Sequence, residues 1–153
     1  MTPRAQSESV TEMTEYVLPQ NANALGNVFG GQIMAWVDLC AAICAQRHSG
    51  SMAVTAFVDD LMFKEPVRVG EVVRLTARVT ATFRTSMEIM VDVEGEDAKT
   101  RRRWPCVTAL VTYVAIDESR KPTPVPPLVL DSDQVRTSQA EGTLRRQIRL
   151  AKR

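Results

Sequence analysis

Residues 31–46 read GQIMAWVDLCAAICAQ. Apart from Asp38 no position in this run is charged, and its Ala, Met and Leu are good helix formers. The stretch therefore predicts a helix apolar on every side and buried all round. Gly30 and Gly31 mark its start, and Arg47-His48-Ser49-Gly50 ends it with cations followed by a glycine stop. His48 reads as one of those helix C-terminal cations.

Outward from the helix the pattern changes to period two. Upstream, residues 9–18 (SVTEMTEYVL) predict a first strand, closed by Pro19 and the polar loop Gln20-Asn21-Ala22-Asn23. Downstream, residues 52–63, 71–82, 86–94 and 104–116 predict four half-buried strands. In residues 71–82, for example, Val73, Leu75, Ala77 and Val79 alternate with Arg74, Thr76 and Arg78. The short separators suit antiparallel neighbours, with residues 95–103 (GEDAKTRRR) as a charged loop. One strand, one long apolar helix and an antiparallel meander place the helix against a single sheet. Such a sheet keeps an exposed edge, which implies partner chains. The proline-rich stretch 122–127 ends this domain, set at residues 1–118. Residues 119–153 then form a linker and a basic tail, helical with Asp131 or Ser132 as N-cap and ordered against another subunit.

A chain of 153 residues, 44% hydrophobic and 24% charged, fits one globular core. A net charge of +1 gives no reason to expect nucleic acid as a partner. No apolar run reaches the roughly 18 residues of a membrane span and the N-terminus lacks a signal-peptide core, so the expected compartment is the cytoplasm. Cys40, Cys44 and Cys106 read as buried thiols, with no metal and no cofactor implied. The runs 101–103 and 145–153 are basic clusters, expected mainly as solvated surface.

Asp38 is the most informative residue. An unpaired buried carboxylate costs several kcal/mol, so it is normally paired, protonated or positioned for work. Its helical neighbours Met34, Ala35, Ala41 and Ala42 supply no cation. Gly31 lies seven residues earlier, two turns away on about the same face and about 10 Å along the axis. The amides of Gly30, Gly31 and Gln32 open the helix and form a site for developing negative charge. The bland readings are a simple turn at Gly30-Gly31 and a structural ion pair between Asp38 and an arginine of another strand.

Residues 19–31 (PQNANALGNVFGG), then Met34-Ala35-Trp36-Val37-Asp38 and Arg47-His48, resemble the acyl-CoA hydrolase group of hotdog-fold thioesterases. Val54-Thr55-Ala56, Phe63-Lys64-Glu65-Pro66-Val67 with Gly70, and Arg84-Thr85-Ser86 add to the likeness, which spans residues 17–116. The resemblance implies an α+β hotdog fold: an antiparallel sheet wrapped around one long helix. It implies that Asn23 orients water or the thioester carbonyl, that Asp38 is base or nucleophile, and that Gly31 with Gly30 and Gln32 binds the oxyanion. It places Thr55, Phe63, Pro66, Arg84, Thr85 and Ser86 near the substrate, and it implies homodimers that share active sites and assemble as trimers of dimers. Three departures stand out: Phe83 where the family usually has glycine, the acidic Asp59-Asp60 in the second strand, and the polar 95–103 hairpin.

Hydrolysis of acyl-CoA to fatty acid and CoA is thus the leading expectation, and an acyl-CoA sensor that does not cleave its ligand is the alternative. A dehydratase needs a histidine beside the carboxylate, and the only one, His48, is ten residues from Asp38. A serine hydrolase lacks its G-x-S-x-G turn.

Overall fold

The computed structural model describes residues 1–59 and 61–152; Asp60, one of the two expected acids, and Arg153 of the basic tail lie outside them. The elements are β1 (Thr11–Tyr16), α1 (Gly30–Ser49), β2 (Met52–Val58), β3 (Met62–Phe63), β4 (Val72–Thr82), β5 (Ser86–Glu96), β6 (Arg103–Ile116) and α2 (Asp133–Ala151). The sheet runs β1-β4-β5-β6-β2, antiparallel throughout, and β3 continues alongside β6 beyond the end of β2. Because β1 and β2 occupy opposite edges, the helix joining them must cross the sheet, and α1 lies in its concave face. Cys40, Ala41, Cys44 and Ala45 are fully buried there, small side chains that bring the helix close to Leu75, Ile89 and Val91. This is the wrapped helix expected of a hotdog.

Two expectations about these elements need correction. The helix is not buried all round: Asp38, Leu39 and Ile43 are exposed, because one sheet covers only one side of a helix. The segment 52–63 is not one half-buried strand. It breaks after Val58, and β2 exposes nearly every residue because it is the sheet's outer edge in this chain.

His48 is a second kind of correction. Its ring is buried, with Nε2 2.7 Å from the Pro126 carbonyl oxygen, and so it ties the end of α1 to the proline-rich return. Burial, with Arg4 nearby, lowers its pKa against the opposing pull of Pro126 and Glu8, so it is a neutral core residue and not a helix-end cation. The terminal carbonyl of Arg47 receives the Arg4 guanidinium instead.

The C-terminal helix docks on the outer face of the sheet within the same chain. Ser132 caps it by accepting from the Val135 amide. A bulge in β4 between Val79 and Ala81 frees backbone groups that α2 then satisfies: Ser138 donates to the Thr80 carbonyl, and the Gln139 amide meets both N–H and C=O of Thr82. Gly142 lies directly over Ala81; a Cβ there would stand 2.4 Å from the Ala81 methyl. One turn on, Arg145 donates two hydrogen bonds to Glu88, which is buried and also accepts from Thr80. The basic tail is therefore largely engaged with its own domain, as Arg146 stacks over Phe83 and Arg149 over Phe57.

Gly142→Ala should lower the melting temperature, although alanine favours a helix interior by about 1 kcal/mol over glycine, because α2 must lift off Ala81; thermal unfolding by circular dichroism measures it. The unfolded chain protonates His48 near pH 6.5 while the folded chain resists until lower pH, so this contribution to stability is present above about pH 6.5 and is lost on acidification. Urea unfolding at pH 7.5 and pH 5.5 should show a drop that is smaller in His48→Gln, whose amide keeps the donor to Pro126.

Candidate active site

Helix α1 turns residues by about 100° per position, so Gly31, Met34, Ala35 and Asp38 share one side and Ile33 faces the other. The shared side opens on a cleft of about 380 Å³ lined also by Val37, Thr55, Val58 and Val111. Asp38 makes no ion pair among the described residues. Its Oδ1 instead accepts from the Thr55 hydroxyl at 2.7 Å and the Tyr113 hydroxyl at 2.5 Å. Tyr113 also reaches the Asp38 main-chain oxygen at 2.9 Å. The two donors arrive together because Thr55 on β2 and Tyr113 on β6 are paired across the sheet. Burial, and after it the hydrogen bond to Asp38, push the Tyr113 phenol far above its ordinary pKa, so it remains a protonated donor. The structural ion pair considered for Asp38 is replaced by hydroxyls, which hold a carboxylate without cancelling its charge.

At the head of α1 the N-cap is Phe29, which offers no side-chain acceptor to the first amides. A Cβ at Gly30 would meet the Phe63 ring in ordinary contact at 3.5 Å. Gln32 is held by Asn21, whose amide donates to its Oε1 at 3.1 Å.

Asn23 lies elsewhere. Its Oδ1 accepts the amides of Leu25 and Asn27, closing a turn whose Gly26 has φ of +80°, in the left-handed region that favours glycine. With Phe63 and Pro66 it lines a second cleft, of about 200 Å³, on the Ile33 side of the helix. The Arg84-Thr85-Ser86 turn stands apart from both, joined to the end of β6 through the Thr85 carbonyl and the Ala115 amide. Phe83 donates its amide to Ser86 without positive φ, so this turn needs no glycine. In the 95–103 hairpin Arg102 covers Trp104 and Arg103 pairs with Glu96. One chain thus unites Gly31, Asp38 and Thr55 and keeps Asn23 and the 84–86 turn separate. Tyr113 was missed by sequence reasoning; it stands in an apolar run of β6 and carries no local mark.

Residues 25–101 match the Thioesterase superfamily, just over half of the 153-residue chain. The chain belongs to this superfamily. This thioesterase-superfamily chain superposes on an apo-hexameric acyl-CoA thioesterase with a TM-score of 0.94 and 35% identity, covering 99% of this chain and 97% of that one. It is similar over 97% of its length, with 30% identity and a TM-score of 0.89, to 91% of an acyl-CoA hydrolase chain from Staphylococcus aureus solved with butyryl coenzyme A and coenzyme A. Mouse acyl-coenzyme A thioesterase 11 is 34% identical over 139 residues, which are 91% of this chain and 23% of the mouse protein. The chain therefore spans about a quarter of that relative.

The cleft's chemistry depends on the open helix start. Gly31→Ala puts a methyl within ordinary contact distance of Phe29, 3.4 Å away, so it should leave the melting temperature unchanged or raised while weakening binding of a nonhydrolysable acyl-CoA analogue by calorimetry.

Proposed function

We propose that the chain hydrolyses acyl-CoA thioesters to a carboxylic acid and free CoA. The observation that carries this reading is an exposed, unpaired carboxylate held by two hydroxyls, two turns along one helix face from an uncapped N-terminus. The thioester carbonyl oxygen sits at the amides of Gly30 and Gly31, where the helix dipole and N–H groups stabilise negative charge as it develops, while the Gln32 amide already donates to the Phe29 carbonyl. Asp38 takes a proton from water while the water oxygen bonds to the carbonyl carbon. As the tetrahedral centre collapses, the carbon–sulfur bond breaks and the proton passes to the departing CoA sulfur. The work is done by side chains and backbone amides, and coenzyme A enters only as part of the substrate.

A second copy of the chain completes the site. The side of α1 that its own sheet leaves open is apolar, with Leu39 and Ile43 exposed beside Asp38, and β2 next to it is an unprotected edge, an arrangement that favours strand or helix pairing with another chain. Asn23 in the second cleft then meets Asp38 of the other subunit and orients the attacking water. The hexameric relative supports an assembly of six chains, which we read as three such dimers. Phe63, Pro66 and the Arg84-Thr85-Ser86 turn line the route of the CoA moiety. The sensor alternative has no need of a carboxylate that carries only neutral donors.

Asp38→Asn should lose most thioester turnover, a fall of about 10²-fold or more, while keeping its fold; thiol release over acyl-CoAs of increasing length measures it, and no release by the unaltered chain with any thioester would favour the sensor. Mixing Asn23→Ala with Asp38→Asn after joint refolding should restore about a quarter of the activity through sites that draw both intact residues from different chains. No recovery in verified mixed oligomers would place both residues within one subunit.

A further inference from the structure

We infer that Tyr113 is a positioning residue for this hydrolysis: its hydroxyl, with that of Thr55, fixes one oxygen of Asp38 so that the other faces the cleft as the reacting atom. The inference rests on the proposed hydrolytic role of Asp38. Both hydroxyl donors converge on Oδ1, and no hydrogen bond among the described residues reaches Oδ2. Tyr113 touches two parts of the same residue, the main-chain oxygen and Oδ1. One phenol therefore clamps the carboxylate against its own backbone and stops it rotating away from the cleft.

The ring's own location argues against a packing role for the hydroxyl. Tyr113 is 1% exposed in the core, where phenylalanine would fill nearly the same volume without a polar atom to satisfy. What tyrosine adds at this position is the hydrogen bond to Asp38. The other groups packed round the carboxylate do not change charge near neutrality. From α1 the nearest thiol is Cys40, raised to about 11 by burial; from β2 the facing group is the Thr55 hydroxyl; and from β6 it is the Tyr113 phenol itself. Arg47, which acts on Cys40, is held farther down the helix by Val10 and Thr11.

A hydrogen-bond donor to a carboxylate favours its ionised form, so the pH profile of turnover reads whether the Tyr113 hydroxyl acts on the reacting group. The pH dependence of kcat is measured for the unaltered chain, Tyr113→Phe and Asp38→Asn with one acyl-CoA under saturating conditions. Tyr113→Phe should keep KM within about twofold, lose about tenfold in kcat, and move the acid limb upward. Incorporating 3-fluorotyrosine at position 113 keeps the ring and hydroxyl and makes a stronger donor, so the acid limb should move downward. Tyr113→Phe with unaltered kcat and acid limb overturns the inference. If that variant does not fold, the fluorinated protein decides, and an unmoved limb overturns it. Turnover retained in Asp38→Asn sinks the hydrolytic reading and this inference together, whereas an inactive Asp38→Asn beside an unaltered Tyr113→Phe sinks the Tyr113 assignment alone.

Discussion

The constraint on which the rest depends is that β1 and β2 lie at opposite edges of one sheet, so the chain between them has to traverse the concave face. A helix does this with its own backbone hydrogen bonds satisfied, and Cys40, Ala41, Cys44 and Ala45 let it settle close to the strands. Everything functional follows from that crossing. The helix start is left open at one end, its exposed side carries Asp38, and the neighbouring edge strand brings Thr55 within reach.

Asp38 resolves a conflict between two demands. A reacting carboxylate must be charged and accessible, yet it sits next to an apolar core that disfavours charge. An arginine partner would have settled the charge and consumed the oxygen that reacts. Two hydroxyls hold the group without bringing a countercharge, and the sheet supplies both because Thr55 and Tyr113 are neighbours across one pair of strands.

Much of this was legible in the sequence. The periodicity switch located α1 and the strands to within a few residues, and the lone acid in an apolar run pointed to the site. The Asn23-to-Gly31 spacing carried the family. Partners that meet across the sheet left no local trace: Tyr113 lies 75 residues from Asp38 and looks like any other strand residue in an apolar run. The exposed side of α1 was misread because a helix apolar all round looks the same whether its second face is covered by its own chain or left bare. Nothing near Glu88 in the chain announces that Arg145 will cover it.

That cover leaves its signature in the strands themselves. Alternation of inward apolar and outward polar residues holds along most of β4 and β5, but Thr80, Ala81 and Glu88 are all buried where α2 lies on the outer face. Ala81 and Gly142 have room for one another only because both are small, and Glu88 and Arg145 are tolerable there only as a couple. These two couples, each joining positions remote along the chain, should consequently vary in concert: divergence among descendants of this sequence would swap bulk or charge across the two layers in compensating steps, while each single exchange is selected against.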